Sequence, residues 1–380
     1  MKLEEINVSM FVERKIKDFI NIDPLQTGGR LTEDARRMLV EWGDGYSVCD
    51  FCQGNLHEIK KPPIASFVED LSEFLNCDVV RVTSGAREGK FIVMHSLARK
   101  DGVVVVDSNA HYTTYISAER AGLRVVEVQN SGYPEYRVVE EGYENAIDEG
   151  ERIGEVVLAV LTYPDGNYGN LPDVKSVVEI CKDRGVPVLL NCAYSIGRMK
   201  IDFEKLGVDF VVGSGHKSMA SAGPVGILGM SEEFSRLVLR RSDRFKDKEV
   251  ELLGCSVRGV PIMTLMASFD HVRERVKMWS REVEKARWFL KEFESLGFEL
   301  LGERPHKHDL LHFKTDKLYE ISRKVRRGGY FLYNELKKRR IHGIKPGRTK
   351  SIKLSTYLVS KEDLRIVIEA FEDILKKFDL

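Results

Sequence analysis

The sequence predicts an α/β fold: a large unit built on a mostly parallel sheet of the seven-stranded type, followed by a smaller C-terminal α+β unit. Three observations carry that expectation. Short β-branched runs recur from residue 79 with stretches of helical length between them, the pattern of βαβ units whose strands are buried on both faces. The alternation stops near residue 230. Finally, 380 residues with 43% hydrophobic content exceed what one core usually holds, so a second core is expected.

The strands are expected at VVRVT (79–83), VVVV (103–106), LRVVEV (123–128), EVVLAVL (155–161), VPVLL (186–190) and VDFVVG (208–213), and GILGM (226–230) closes the sheet region. A charged segment containing RRSDRFKDKE follows. One long helical pattern from about 270 to 296 then leads into FELLGE, LLHFK, another helix, SIKLST and a last helix at 361–377. Residues 1–60 are less regular and read as a helix followed by an extended, glycine-rich segment. This divides the chain into an N-terminal segment (1–60), a large unit (61–245) and a small unit (246–380).

The 59 basic and 59 acidic side chains cancel, so any nucleic-acid or membrane partner must use a local patch. No run approaches the roughly 18 apolar residues needed to span a bilayer, and MKLEEINVSMFVERKIKDF interleaves charges where a signal peptide would be apolar. A cytoplasmic protein without a membrane partner is expected. Six cysteines (Cys49, Cys52, Cys77, Cys181, Cys192, Cys255) are too few for a disulfide scaffold in a chain of this length. Three glutamines against abundant Lys, Arg and Glu is a thermophile-like composition.

The most specific segment is VDFVVGSGHKSMASAGPVGILGM, in which a strand runs into Gly213, Ser214, Gly215, His216 and Lys217. A lysine there sits at the carboxyl edge of the sheet, where α/β folds bind ligands, and partial desolvation would free its amine for a Schiff base. Upstream, VVRVT passes into Ser84, Gly85, Ala86, Arg87, Glu88 and Gly89, whose small residues let backbone N–H groups face a phosphate, with Arg87 as counter-charge. VVVVDSNAHYTTY places His111 after a strand, where an imidazole can stack on a planar ring. TYPDGNYGNL sets Asn167 after another, suited to a phenolic oxygen. LLNCAYSIGRM ends a strand on Asn191.

In this order, these features resemble the pyridoxal-phosphate enzymes of fold type I, near the cysteine-desulfurase branch, over roughly residues 60 to 380. The resemblance implies pyridoxal 5'-phosphate as cofactor, held as a Schiff base by Lys217. Gly85, Ala86, Arg87, Ser214, Gly215 and His216 would hold its phosphate, while His111 would stack on the ring. It also implies a site built at a homodimer interface. Most relatives carry aspartate where this chain has Asn191. Without that negative charge the ring is a poorer sink for a long-lived carbanion, which favours β-elimination and replacement over transamination.

GYSVCDFCQGNLHEIKKPPI adds a Cys-x-x-Cys pair at Cys49 and Cys52, and LLGCSVRGVP adds Cys255. With NCAYSIGRM and GSGHKSMAS, these segments are similar to the archaeal family that replaces the phosphate of tRNA-bound phosphoserine with sulfur to give cysteinyl-tRNA. That similarity makes Cys49, Cys52 and Cys255 the sulfur-handling residues, through a persulfide or an iron-sulfur centre. It also implies a catalytic set of Lys217, His111 and the three cysteines. The implied partners are phosphoseryl-tRNA(Cys), a sulfur donor and phosphoseryl-tRNA synthetase. For a lone CxxC the alternatives are a zinc half-site or an incidental pair, but a closed zinc site wants four ligands and a third cysteine without a clear fourth argues against one, so no metal ligands are assigned. Arg258 is a candidate for binding the departing phosphate.

Residues 323–353 carry twelve Lys or Arg against Glu335 alone, with Tyr330, Phe331 and Tyr333 interleaved. This is the chain's best nucleic-acid patch. The HKH at 306–308 reads as a loop. A desulfurase acting on a free amino acid would share Lys217 but leave the basic stretch and the Cys49/Cys52 pair without a role. A tRNA-binding assembly protein without catalysis would not need Lys217, Arg87 and His111 together.

Overall fold

The structure, a computed structural model, describes residues 19–44, 62–246, 248–252 and 259–378. It opens with a two-residue strand β1 (Ile20–Asn21), a 3-10 turn (Thr27–Gly29) and helix α1 (Glu33–Glu41). The Thr32 hydroxyl caps α1 by accepting from the Ala35 N–H, satisfying one of the donors a helix start leaves open. Residues 45–61, where the extended segment was expected, lie outside the described residues.

Helix α2 (Ile64–Leu75) leads into the alternation: β2 (Val79–Thr83), α3 (Ala86–Leu97), β3 (Val103–Asp107), α4 (Tyr112–Ala121), β4 (Arg124–Val128), α5 (Gly142–Ile153) and β5 (Val156–Thr162). It continues through α6 (Val174–Asp183), β6 (Val188–Cys192), α7 (Phe203–Leu206), β7 (Phe210–Ser214), α8 (Gly215–Ser218) and β8 (Gly226–Met230). These strands form a seven-stranded sheet of order β2-β8-β7-β6-β5-β3-β4. Only β8 runs against the others.

β3 shows why the runs were legible. Val103 and Val105 pack into the core on one face of the sheet, and Val104 and Val106 into the core on the other. All four are fully buried, each contributing about 1.5–3 kcal/mol. β6 and β7 begin two residues later than expected. Pro187 cannot donate to the ladder, and both strands instead run on to polar ends at Asn191, Cys192 and Ser214.

Beyond α9 (Glu232–Val238) come α10 (Val260–Val276), α11 (Trp279–Ser295), β9 (Glu299–Leu300), β10 (Leu310–Lys314), α12 (Asp316–Lys324), α13 (Gly328–Lys338), β11 (Ile341–His342), β12 (Ser351–Ser355) and α14 (Lys361–Lys377). The stretch expected as one helix from 270 to 296 is two, broken at Lys277 and Met278. The helix expected between LLHFK and SIKLST is also two, parted where Arg327 takes a left-handed conformation. β12, β10 and β9 form an antiparallel sheet over a core of Phe289, Phe293, Phe313 and Phe371.

Two elements cross between the cores. α10 buries Ile262, Leu265, Phe269 and Val272 against the large sheet. β1 pairs in parallel with β11, and Ile22 joins the C-terminal core.

Candidate active site

The parallel strands deliver their carboxyl ends to one edge, and the loops there enclose a cavity of about 620 Å³. From the large sheet, Gly85, Ala86, Arg87, His111, Asn167, Asn191, Ser214, His216 and Lys217 all line it. Gly215 is buried beside them at the start of α8. Asp23 and Pro24 line it from the N-terminal part, and His312, Arg348 and Lys353 from the C-terminal part. Cys49, Cys52, Cys255 and Arg258 lie outside the described residues.

Lys217 is held at the end of β7, its Nζ 4.9 Å from the centre of the buried Tyr194 ring. Burial lowers its pKa, helped by the charges of Arg198 and Lys353. The amine is therefore unprotonated at lower pH than an ordinary lysine, the state a Schiff base requires. Close packing fixes the turn: a Cβ on Gly28 would come within 2.7 Å of the Lys217 carbonyl oxygen.

The turn after β2 is shaped for a phosphate. Gly85 has φ +132° and precedes the first residue of α3, a conformation that favours glycine. Gly226 of β8 lets the backbone pass, since a Cβ there would sit 2.6 Å from Gly85 Cα. The N–H groups at the start of α3 and the exposed Arg87 thus meet the cavity together, an arrangement suited to an anion.

His111 caps α4, its Nδ1 accepting from the Thr113 N–H at 3.3 Å. Burial, followed by the cations Lys217, Lys90, Lys353 and Arg87, pushes its pKa down to about 4. Asn191 is 3% exposed, and its Oδ1 has no hydrogen-bond partner in the protein. An orphaned buried carbonyl is costly and is the group a ring N–H would satisfy. The donor set therefore fits pyridoxal phosphate: a desolvated lysine, a phosphate cradle, a ring-sized space and an unpaired amide oxygen. Among the described residues, no group of three or more His, Cys, Asp or Glu could hold a metal ion.

Nothing in the sequence assigned Lys90 or His312 a role in the site, and Lys353, counted in the basic stretch, turns into the cavity instead. Lys90, 1% exposed, donates from Nζ to the Thr113 and Thr114 hydroxyls at 2.8 Å each. Lys353 donates to the Gly166 carbonyl at 2.6 Å. His312 approaches the Asn167 carbonyl at 3.1 Å from Nδ1 and stacks on Tyr168, which stacks on Tyr136. Lys90 had a local signal, lying three residues beyond Arg87 on the same helix face. Lys353 had one in the alternation of SIKLS, whose Ile352 and Leu354 take the core. His306 and His308 are buried. His308 Nδ1 accepts from the Leu310 N–H at 3.1 Å. Its 3.4 Å approach to Asp309 is not an ion pair, because burial holds the imidazole neutral with a pKa of about 3.

The basic stretch surfaces on α12, α13 and the loop before β12. Arg323, Lys324, Arg326, Arg327, Lys337, Arg340, Lys345, Arg348 and Lys350 are exposed, and Lys345 and Arg348 reach the cavity. Glu335 does not offset them: burial alone would raise its carboxyl, but Lys338, Arg339 and Lys377 hold it at about 2. Tyr330 is exposed, whereas Phe331 belongs to the core.

The family profile for O-phosphoseryl-tRNA(Sec) selenium transferase, SepSecS, matches residues 64–376. The protein is 55% identical over 372 residues to the O-phospho-L-seryl-tRNA:Cys-tRNA synthase of Methanosarcina acetivorans, spanning 97% of this chain and 96% of that one. It superposes on the crystal structure of the SepCysS-SepCysE N-terminal domain complex with a TM-score of 0.91 and 47% identity, over 99% and 100% of the two chains. A cysteine desulfurase from Thermococcus onnurineus NA1 shares the fold at 16% identity, with a TM-score of 0.77 over 99% and 100%.

Proposed function

Because the chain belongs to the family of O-phospho-L-seryl-tRNA:Cys-tRNA synthases, we propose that its cavity converts O-phosphoseryl-tRNA(Cys) to cysteinyl-tRNA(Cys) with pyridoxal phosphate as cofactor. The observation that carries this reading is the meeting, in one cavity, of the desolvated Lys217 and the unpaired Asn191 Oδ1. Gly85, Ala86, Arg87, Ser214, Gly215 and His216 would hold the phosphate. His111 would lie against the ring, Asn167 near its phenolic oxygen and Asn191 at its nitrogen.

When bound, the cofactor supplies an electron sink next to the substrate's α-carbon. Lys217 Nζ takes the α-proton, a role that its burial-lowered pKa favours over that of an ordinary lysine. Phosphate then leaves the β-carbon with its bonding pair, hydrosulfide adds at that carbon with its own electron pair, and Lys217 returns a proton to the α-carbon, leaving the thiol with no change of oxidation state. Asn191 can accept the ring N–H but carries no charge, so it stabilises the protonated ring less than a carboxylate would, and the weaker electron sink disfavours transamination. Cys49, Cys52 and Cys255 are assigned the sulfur and Arg258 the departing phosphate, all outside the described residues.

The exposed cations from Arg323 to Lys350 supply the phosphate-binding surface a tRNA needs. Assembly as a cytoplasmic homodimer and contacts with phosphoseryl-tRNA synthetase or a SepCysE-like protein belong to the same proposal. So does the division at residues 60 and 245, with α10 as the piece of the last range packed on the large sheet. Among the described residues, no helix is long and apolar enough to cross a membrane. Anaerobic incubation of the protein with phosphoseryl-tRNA and sulfide, followed by analysis of the attached amino acid, tests the reading. Cysteine is expected, and recovery of unchanged phosphoserine would refute it.

A further inference from the structure

Beneath His111 lies a lysine to which no role has yet been given. Lys90 stands one turn into α3 with its ammonium group closed off from solvent. Burying such a group is costly, and a methionine would fill the space without that cost. Its position is therefore explained by what Nζ touches. Nζ donates to Thr113 Oγ1 and Thr114 Oγ1, both at 2.8 Å. Thr113 Oγ1 in turn lies 3.0 Å from His111 Nδ1.

The directions of these bonds follow from proton counting. A hydroxyl has one proton to donate. Lys90 takes one of the two lone pairs of Thr113 Oγ1, and because Nδ1 already faces the Thr113 backbone N–H it has no proton to give, so the hydroxyl turns its own proton to His111. Nδ1 also accepts from the Thr113 backbone N–H, so two donors converge on one ring nitrogen. A neutral imidazole must then carry its proton on Nε2. Partial desolvation, the largest cause, with neighbouring positive charge adding to it, keeps the ring neutral with a pKa of about 4.

We infer that Lys90 is a positioning residue that acts through the Thr113 hydroxyl to lock His111 as a neutral Nε2–H donor in the cavity. The inference rests on reading the cavity as the cofactor site. Its consequence is a division of labour. A His111 fixed in this form is a hydrogen-bond donor and not a proton acceptor, so proton transfer falls to Lys217.

The test is nitrogen NMR of the histidine-labelled, cofactor-loaded protein, with the His111 signals assigned by difference from a His111→Gln sample. Nδ1 without a proton and Nε2 with one are expected at pH 5.5 to 6.5, below the Lys90 pKa, which burial lowers to about 7. Thr113→Val and Lys90→Met should each bring in the Nδ1–H form and lower kcat about tenfold at constant KM, the rate equivalent of one ordinary hydrogen bond. Thr113→Ser, which keeps the hydroxyl, should restore both. A proton on Nδ1 in the unaltered protein overturns the inference without any variant, as does an unchanged tautomer and kcat in Thr113→Val and Lys90→Met. The visible absorbance of the same samples reports separately whether the cavity holds the cofactor.

Discussion

Arg198 donates from Nη1 to Asp309 Oδ2 at 2.7 Å, with neither side chain exposed to solvent. The same guanidinium donates from Nε to Ser218 Oγ at 3.2 Å and from Nη2 to the Pro24 carbonyl at 2.9 Å. One buried cation therefore joins the residue after Lys217, the N-terminal segment and the C-terminal unit. Removing one partner of such a pair leaves the other charge buried and uncompensated. Arg198→Met should therefore destabilise the protein by about 3–5 kcal/mol, read as a lower denaturation midpoint together with weaker cofactor retention. An unchanged midpoint would contradict this role.

The second prediction concerns pH. Burial holds the Lys217 pKa low, with Arg198 and Lys353 adding to it. Removing the Lys353 charge makes the Lys217 ammonium more favourable, so its pKa rises and the free amine appears only at higher pH. Lys353→Met should move the pH dependence of cofactor capture upward by about half to one pH unit. Mixing cofactor-free protein with pyridoxal phosphate and following the visible band at each pH measures it. A downward shift would be the wrong sign.

The third prediction is that Arg323→Glu with Arg327→Glu, or Lys345→Glu with Arg348→Glu, raises KM for the tRNA substrate and flattens its salt dependence, since phosphate contacts set that slope. The cofactor spectrum should stay unchanged for the first pair, which lies away from the cavity. Unaltered KM and salt slope would place tRNA docking elsewhere.

What the sequence made legible was whatever is local. β-branched runs mark strands because each side chain of β3 is buried wherever it points, and site residues cluster where those strands end. Contacts between distant segments were not legible. Arg198, in IGRMK, reads as a surface charge until Asp309, 111 positions away, is packed against it. Phe331 reads as part of a nucleic-acid face until α13 is seen to turn it into the core. The break between α10 and α11 falls at Lys277 and Met278, where neither glycine nor proline announces it.

The fourth prediction concerns Asn191. Its unpaired Oδ1 is neutral, whereas a carboxylate would favour ring protonation and a longer-lived carbanion. Asn191→Asp should retain cofactor and raise the fraction converted to its amine form relative to phosphate released. Unchanged partitioning between the two would refute that account of the residue.

The most direct test locates the covalent anchor. The protein is loaded with pyridoxal phosphate, reduced with borohydride, digested and mapped, with Lys217→Ala treated in parallel. The cavity's geometry and electrostatics predict the label on Lys217 alone, and neither label nor visible band in Lys217→Ala while its fold persists by circular dichroism. A label on Lys90 or Lys353, the other lysines buried or half-buried at this cavity, would contradict it.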